Sequence, residues 1–252
     1  MAQNLEKLQA EFEEAMRYHQ LGQVDEAETR YRKLMKKAPK MPMLYNNLGL
    51  VLQAQNRIDE AVKQLERAVK LDRQYVDAYS NLGNAYRRAG KFDAAIKSFE
   101  RALKLNPAFI QALGNLGNTY LDMGRLEESE KAYRDGLDLL PDQPDLYYNL
   151  GRALYEQGRW DDAEESFRKT LSLNHAYPLA HWNLSHVMLL HGRFREGWLE
   201  YEWRWHCPGF TTQIPKFDQP RWDGKDISGK TLLVYAEQGF GDTIQFVRYL
   251  PG

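Results

Sequence analysis

Five asparagines recur at a fixed interval of 34 residues: Asn47, Asn81, Asn115, Asn149 and Asn183, with Glu13 in the same register ahead of them. A carboxamide offers one acceptor and two donors, a set that matches the C=O and N–H of an extended peptide. Contacts of that kind read backbone and not side chain, so a row of them would hold many sequences with modest selectivity. Asn is a mediocre helix former, and helix propensity does not ask for it five times. A structural role is the alternative, in which each amide bonds to the neighbouring repeat.

Other polar residues follow the same interval. Asn84 and Asn118 match each other, Arg87 has Asp77, Ser80 and Arg88 close by, and Asp145, Tyr148, Arg152 and Tyr155 repeat the pattern before Trp182 and His186. Together they predict a surface of mixed charge with an aromatic C-terminal end.

The elements that must hold these residues are legible in the apolar and small positions. Shifting by 34 carries Gly83 back to Gly49 and Ala15, and forward to Gly117, Gly151 and Ser185. A turn position runs Gly22, Asn56, Gly90, Gly124, Gly158 and Gly192, residues that adopt a left-handed conformation cheaply. A small residue runs Ala27, Ala61, Ala95, Ser129, Ala163 and Gly197, beside a large one at Tyr31, Leu65, Phe99, Tyr133, Phe167 and Tyr201. Pro39, Pro107 and Pro141 close helices. The unit is a pair of antiparallel helices that buries its exposed face only against the next pair.

These signatures resemble the tetratricopeptide repeat family over residues 8–211, as six repeats at 8–41, 42–75, 76–109, 110–143, 144–177 and 178–211, with 1–7 as a polar cap. The resemblance implies an all-α, right-handed superhelix whose first helices line a concave groove, and a protein or extended peptide as the partner in it. The asparagines are similar to those of the O-linked N-acetylglucosamine transferase family, where such a ladder binds the backbone of protein substrates. Tetratricopeptide proteins that grip a chaperone's C-terminal carboxylate use Lys and Arg. Here the fifth position reads Phe12, Asn46, Ser80, Gly114, Tyr148 and Trp182, so that clamp is not expected.

The sixth repeat ends in an aromatic run through Trp198, Tyr201, Trp203, Trp205 and Phe210, which reads as packing against whatever follows and not as a ligand cage. Residues 212–230 have linker composition. Thr231–Tyr235 then reads as a strand and Ile244, Phe246, Val247 and Leu250 as a helix, so a short C-terminal βα stub is expected over 231–252. Its loop, EQGFGDTIQF, resembles the start of heptosyltransferase-like glycosyltransferases. That resemblance implies a phosphate-binding role for Gly239 and Gly241 and an acceptor-activating role for Asp242 if a full catalytic domain follows. The catalytic domain does not fit within 252 residues, so the chain is expected not to be an enzyme by itself. It is read as a peptide-binding scaffold or, alternatively, as the substrate-recruiting part of a glycosyltransferase. An unpaired strand at 231–235 would also favour self-association.

Composition excludes several classes. Lys plus Arg is 34 against 35 for Asp plus Glu, which gives no field for nucleic acid or an anionic membrane. Cys207 is the single cysteine, so no intrachain disulfide forms and no paired-thiol metal site exists. His175, His181, His186 and His191 lack partners in a ligand pattern and read as surface or groove residues. No cofactor is expected. With no signal-like or membrane-length apolar segment, a cytoplasmic location is the expectation.

Overall fold

The computed structural model describes residues 2–210, together with 228, 229 and 231. Twelve α-helices and one 3₁₀ turn, with no strand, make up the described residues. They run α1 (Ala2–Gln20), α2 (Val24–Lys37), α3 (Pro42–Ala54), α4 (Ile58–Leu71), α5 (Val76–Arg88), α6 (Phe92–Leu105), α7 (Ile110–Asp122), α8 (Leu126–Leu139), α9 (Pro144–Glu156), α10 (Trp160–Leu173), α11 (Pro178–Leu190) and α12 (Phe194–Tyr201). The 3₁₀ turn is Glu202–His206. The expected linker and the βα stub, with Gly239, Gly241 and Asp242, lie outside the described residues, except that Ser228 and Gly229 form an exposed turn and Thr231 is irregular and exposed.

The chain divides into two compact units, residues 1–176 and 177–252. In the first, each odd-numbered helix packs on the even-numbered helix after it, and each even-numbered helix on the next odd one. A glycine sets the closeness of the four pairs from α3–α4 to α9–α10, and the first pair has Ala15 in its place. A Cβ on Gly83 would sit 2.6 Å from Cε1 and Cζ of Phe99, and one on Gly117 would sit 2.5 Å from Cε1 of Tyr133. The rings of Phe99, Tyr133 and Phe167 are fully buried as a result, and Tyr31 is fully buried in the first pair.

The turns between paired helices hold one residue at positive φ. It is Gly90 at 71° in the third pair and Asn56 at 62° in the second, a position where Asn is the non-glycine residue that pays least. The second helices have no side-chain N-cap. Their first turns carry acids instead, Asp59 and Glu60, Glu127 and Glu128, Asp161 and Asp162, which suits the positive end of the helix dipole. An arginine at the cap position forks onto the acid three residues on: Arg57 to Glu60, Arg125 to Glu128, Arg159 to Asp162. Arg57 also reaches Glu28, and Arg159 reaches Glu130, on the preceding repeat.

In the second unit the helix expected to run on from Phe194 stops at Tyr201 and tightens into the 3₁₀ turn. Arg204 lies within this turn. It is buried, with its guanidinium 4.6 Å from the Tyr201 ring centroid and 4.5 Å from that of Trp205. It donates to the Tyr201 carbonyl at 3.2 Å and to the Glu202 carboxylate at 2.8 Å.

Candidate functional site

The odd helices of the first unit form a layer of their own: α3 touches α5, α5 touches α7 and α7 touches α9. Among the described residues no two even helices pack in this way. Helices that crowd on one side of a stack define its inner face. Asn47, Asn81, Asn115 and Asn149 stand along this layer and each is half-buried. Asn183 is half-buried on α11 in the second unit.

Polar contacts stitch the layer around α5. Asn81 donates to Oδ1 of Asn46 at 2.9 Å, and Asn46 donates to Oδ1 of Asn47 at 3.1 Å, so three amides join α3 to α5. Asn46 itself is buried. Arg88 donates to the Gln53 carbonyl at 2.8 Å and to Oδ1 of Asn56 at 3.1 Å, closing the C-terminal end of α3. Arg87 pairs with Asp122 on α7 at 2.7 Å. These residues act between repeats, the structural role open to an amide at this position.

Past α5 the layer is less engaged. The side-chain amides of Asn84 and Asn115 make no hydrogen bond to the described residues, while the Asn115 carbonyl accepts from Thr119. Asn118 accepts from the Tyr133 hydroxyl at 2.8 Å and keeps its NH₂. Burial pushes that hydroxyl up to about 12, with a hydrogen bond from Ser129 working the other way. Asn149 lies 3.5 Å from the Arg152 guanidinium, the long limit of a hydrogen bond. Tyr148 is buried, 6.1 Å from Phe167 centre to centre, and Arg152 lies over its outer ring face at 5.9 Å. Two buried polar atoms on α5, Oγ of Ser80 and Nε of Arg87, have no partner.

The histidines of the second unit are not all at the surface. His181 is buried, stacked on Trp203 at 4.0 Å with 5° between the planes, and its Nδ1 meets a carboxylate oxygen of Glu200. The spacings of six, five and five residues along His175, His181, His186 and His191 did not separate it from the others in sequence. His186 sits between Trp182 and Tyr201, and burial holds it below its ordinary value. No group of three or more His, Cys, Asp or Glu able to hold a metal occurs among the described residues. No helix among them is long and apolar enough to cross a membrane.

A stack of helix pairs with a polar inner face and without a catalytic constellation among its described residues is a repeat scaffold of the protein-interaction class. Two tetratricopeptide repeat models match the chain, one over residues 40–108 and the other over 80–144 and 115–181. The chain belongs to the tetratricopeptide repeat family. Protein FlbA of Caulobacter vibrioides is 43% identical over 61 residues, 23% of this chain and 10% of FlbA. The chain therefore spans a small part of that relative's length. Among solved structures, MamA is 27% identical with a TM-score of 0.58, over 64% of this chain and 94% of MamA. PilF of Pseudomonas aeruginosa (17% identical, TM-score 0.68, 78% of this chain and 96% of that one) shares the fold. So does PilW, described as a type IV pilus biogenesis factor (18%, TM-score 0.71, 78% and 90%).

Proposed function

We propose that the inner face of the first unit holds an extended segment of a protein partner, and that α5, α7 and α9 are where it lies. The observation that carries this is the row of half-buried amides at Asn84, Asn115, Asn118 and Asn149, which keep donors or acceptors uncommitted while Asn46, Asn47 and Asn81 bond one another. The unpartnered Ser80 Oγ and Arg87 Nε add to it, since a buried polar group left unpaired costs about 1–3 kcal/mol and a ligand or water relieves that cost.

Magnitudes bound the affinity. A neutral hydrogen bond contributes about 1 kcal/mol net, so the two ladder amides least engaged, Asn115 and Asn149, supply roughly 2 kcal/mol of the ~8 that a micromolar complex needs. The rest must come from Arg152, Asp145, Asp77 and the apolar stems between them, which makes the partner chemically mixed and not merely acidic or basic.

The test is a bound peptide array probed with the whole chain and its Asn115→Ala/Asn149→Ala variant. Binding should weaken by roughly 30-fold, with helicity by circular dichroism unchanged. Asn81→Ala, by contrast, should lower thermal stability before it lowers binding. Equal binding by the double variant would remove the ladder from the proposal.

A second reading extends the first. Six repeats over 8–211, a linker at 212–230 and a truncated βα unit at 231–252 would make the chain the recruiting arm of a glycosyltransferase, with Asn183 continuing the ladder and Gly239, Gly241 and Asp242 at a phosphate loop. It is supported by the EQGFGDTIQF sequence alone. The mass of the native product in its source cells, set against 29.5 kDa, separates the two: roughly double favours the recruiting arm, and an equal mass favours a free-standing, cytoplasmic adaptor.

A further inference from the structure

The corner where α8 meets α9 departs from its counterparts in the first unit. Leu139 and Leu140 are 49% and 42% exposed. Leu139 stands in register with Leu71, Leu105 and Leu173, each half-buried. Leu140 stands in register with Asp72, Asn106 and Asn174, whose side-chain oxygens each accept the backbone N–H two residues on. A leucine cannot accept that bond, so the fourth repeat sets apolar surface in water where its neighbours close a turn. Apolar surface in place of a local hydrogen bond points to contact with another surface.

Charge inverts at the same corner. The position of Asp135 holds Lys33, Arg67 and Arg101 in the earlier repeats and Lys169 in the next, and that of Asp138 holds Lys36, Lys70 and Lys104 in the earlier ones. Asp138 lies in the last turn of α8, where the helix dipole favours a cation. Lys36, Arg67, Lys70 and Lys104 are exposed and, like Asp135 and Asp138, enter no ion pair among the described residues. The cations thus line the C-terminal turns of α2, α4 and α6, on the edge of the stack where α8 carries acids. Met43, in the first turn of α3 and 41% exposed, adds apolar surface to that basic edge.

We propose that the α8–α9 corner docks on the basic edge of a second copy of this chain. Asp135 and Asp138 are one helical turn apart, as Arg67 and Lys70 are. With α8 of one copy laid antiparallel against α4 of another, both acids face both cations. Leu139 and Leu140 then meet Met43 and the hydrocarbon stems of the lysines. The acidic first turns of the same helices, Asp25 and Glu26 in α2 and Asp59 and Glu60 in α4, would repel a nucleic acid or an anionic membrane lying across them. A second copy brings acids in the matching spacing. This contact uses the outer helices and leaves the inner face free for a peptide, so it goes beyond the function proposed above.

Exposed ion pairs are individually weak, so the contact is read at high concentration. Light scattering up to about 1 mM should show a weight-average mass rising above 29.5 kDa. The rise should shrink as salt goes from about 0.1 to about 1 M, where the screening length falls from about 10 to about 3 Å. Asp135→Lys/Asp138→Lys and Arg67→Glu/Lys70→Glu should each weaken self-association by at least about tenfold, with helicity by circular dichroism unchanged. Mixing the two variants should restore it, because the reversed corner of one meets the reversed edge of the other. A mass that stays at 29.5 kDa throughout would overturn the proposal. So would association that survives either reversal, or two reversed variants that remain apart when mixed.

Discussion

Phe99→Ala should cost about 3–5 kcal/mol and open the middle of the first unit while its ends stay folded. The ring is fully buried, and its Cε1 and Cζ fill the space where Gly83 has no side chain. The same core holds Ala95, Ala102 and Ala112, small residues that cannot expand into the void, beside Leu116. The expected locality follows from the architecture. Helix pairs contact their neighbours and little else, so stability is close to a sum of repeats and interfaces, and a defect in α6 weakens the α5–α6 pair and its junction with α7. Hydrogen exchange on the variant should show lost protection over α5–α7 with α3, α4 and α9 less affected. The reverse substitution, Gly83→Ala, presses a methyl into the same ring and should cost about 1–3 kcal/mol. If Phe99→Ala melts every helix of the first unit by the same amount, the unit behaves as one cooperative block and the repeat picture of its energetics fails.

The packing that this prediction uses was legible in sequence, because it depends on residue size at a fixed interval. Gly83 beside Phe99 and Gly117 beside Tyr133 recur every 34 residues, and a close contact between helices leaves that signature whatever the rotamers are. The positive-φ turn was legible for the same reason: Asn56 stands where glycine stands in the other repeats, and its φ of 62° follows. The inner face was only partly legible. Asn46 and Asn81 differ by 35 residues, not 34, so a register that aligns Asn with Asn gives no sign that they bond across α3 and α5. Arg87 and Arg88 read alike in sequence, yet one pairs with Asp122 ahead and the other clasps Gln53 and Asn56 behind. Tyr148 was expected to line the groove, and its 8% exposure depends on how its ring settles against Phe167. Periodicity identifies a face; it does not say which polar groups on that face are already satisfied.

Raising the pH should expose a further consequence of burial at Tyr133. Its hydroxyl, ordinarily near 10, is pushed up to about 12 because the folded protein buries it. Folding therefore favours the protonated phenol. The stability this contributes is complete below pH 10, where the phenol is protonated folded or unfolded, and is lost as pH rises from 10 through 12, where only the unfolded chain ionises readily. A difference of that size is worth about 3 kcal/mol. Tyr31, also fully buried and also pushed up to about 12 by burial, steepens the same fall, so the chain should denature sharply above pH 10.

Tyr133→Phe isolates one share of it. At pH 8 the variant lacks the hydrogen bond to Asn118 and should be about 1 kcal/mol less stable than the unmodified chain. At pH 11.5 the unmodified chain has lost about 2 kcal/mol to ionisation of this one residue, a loss the phenylalanine cannot suffer, and the variant should be the more stable of the two. The two urea-derived stability curves should cross near pH 11. Comparing the pair cancels the titration of lysines and of Tyr31, which both proteins share. Parallel curves from pH 8 to 11.5 would mean that the Tyr133 hydroxyl ionises as easily folded as unfolded, and that the space between α7 and α8 is wetter than its closed packing implies.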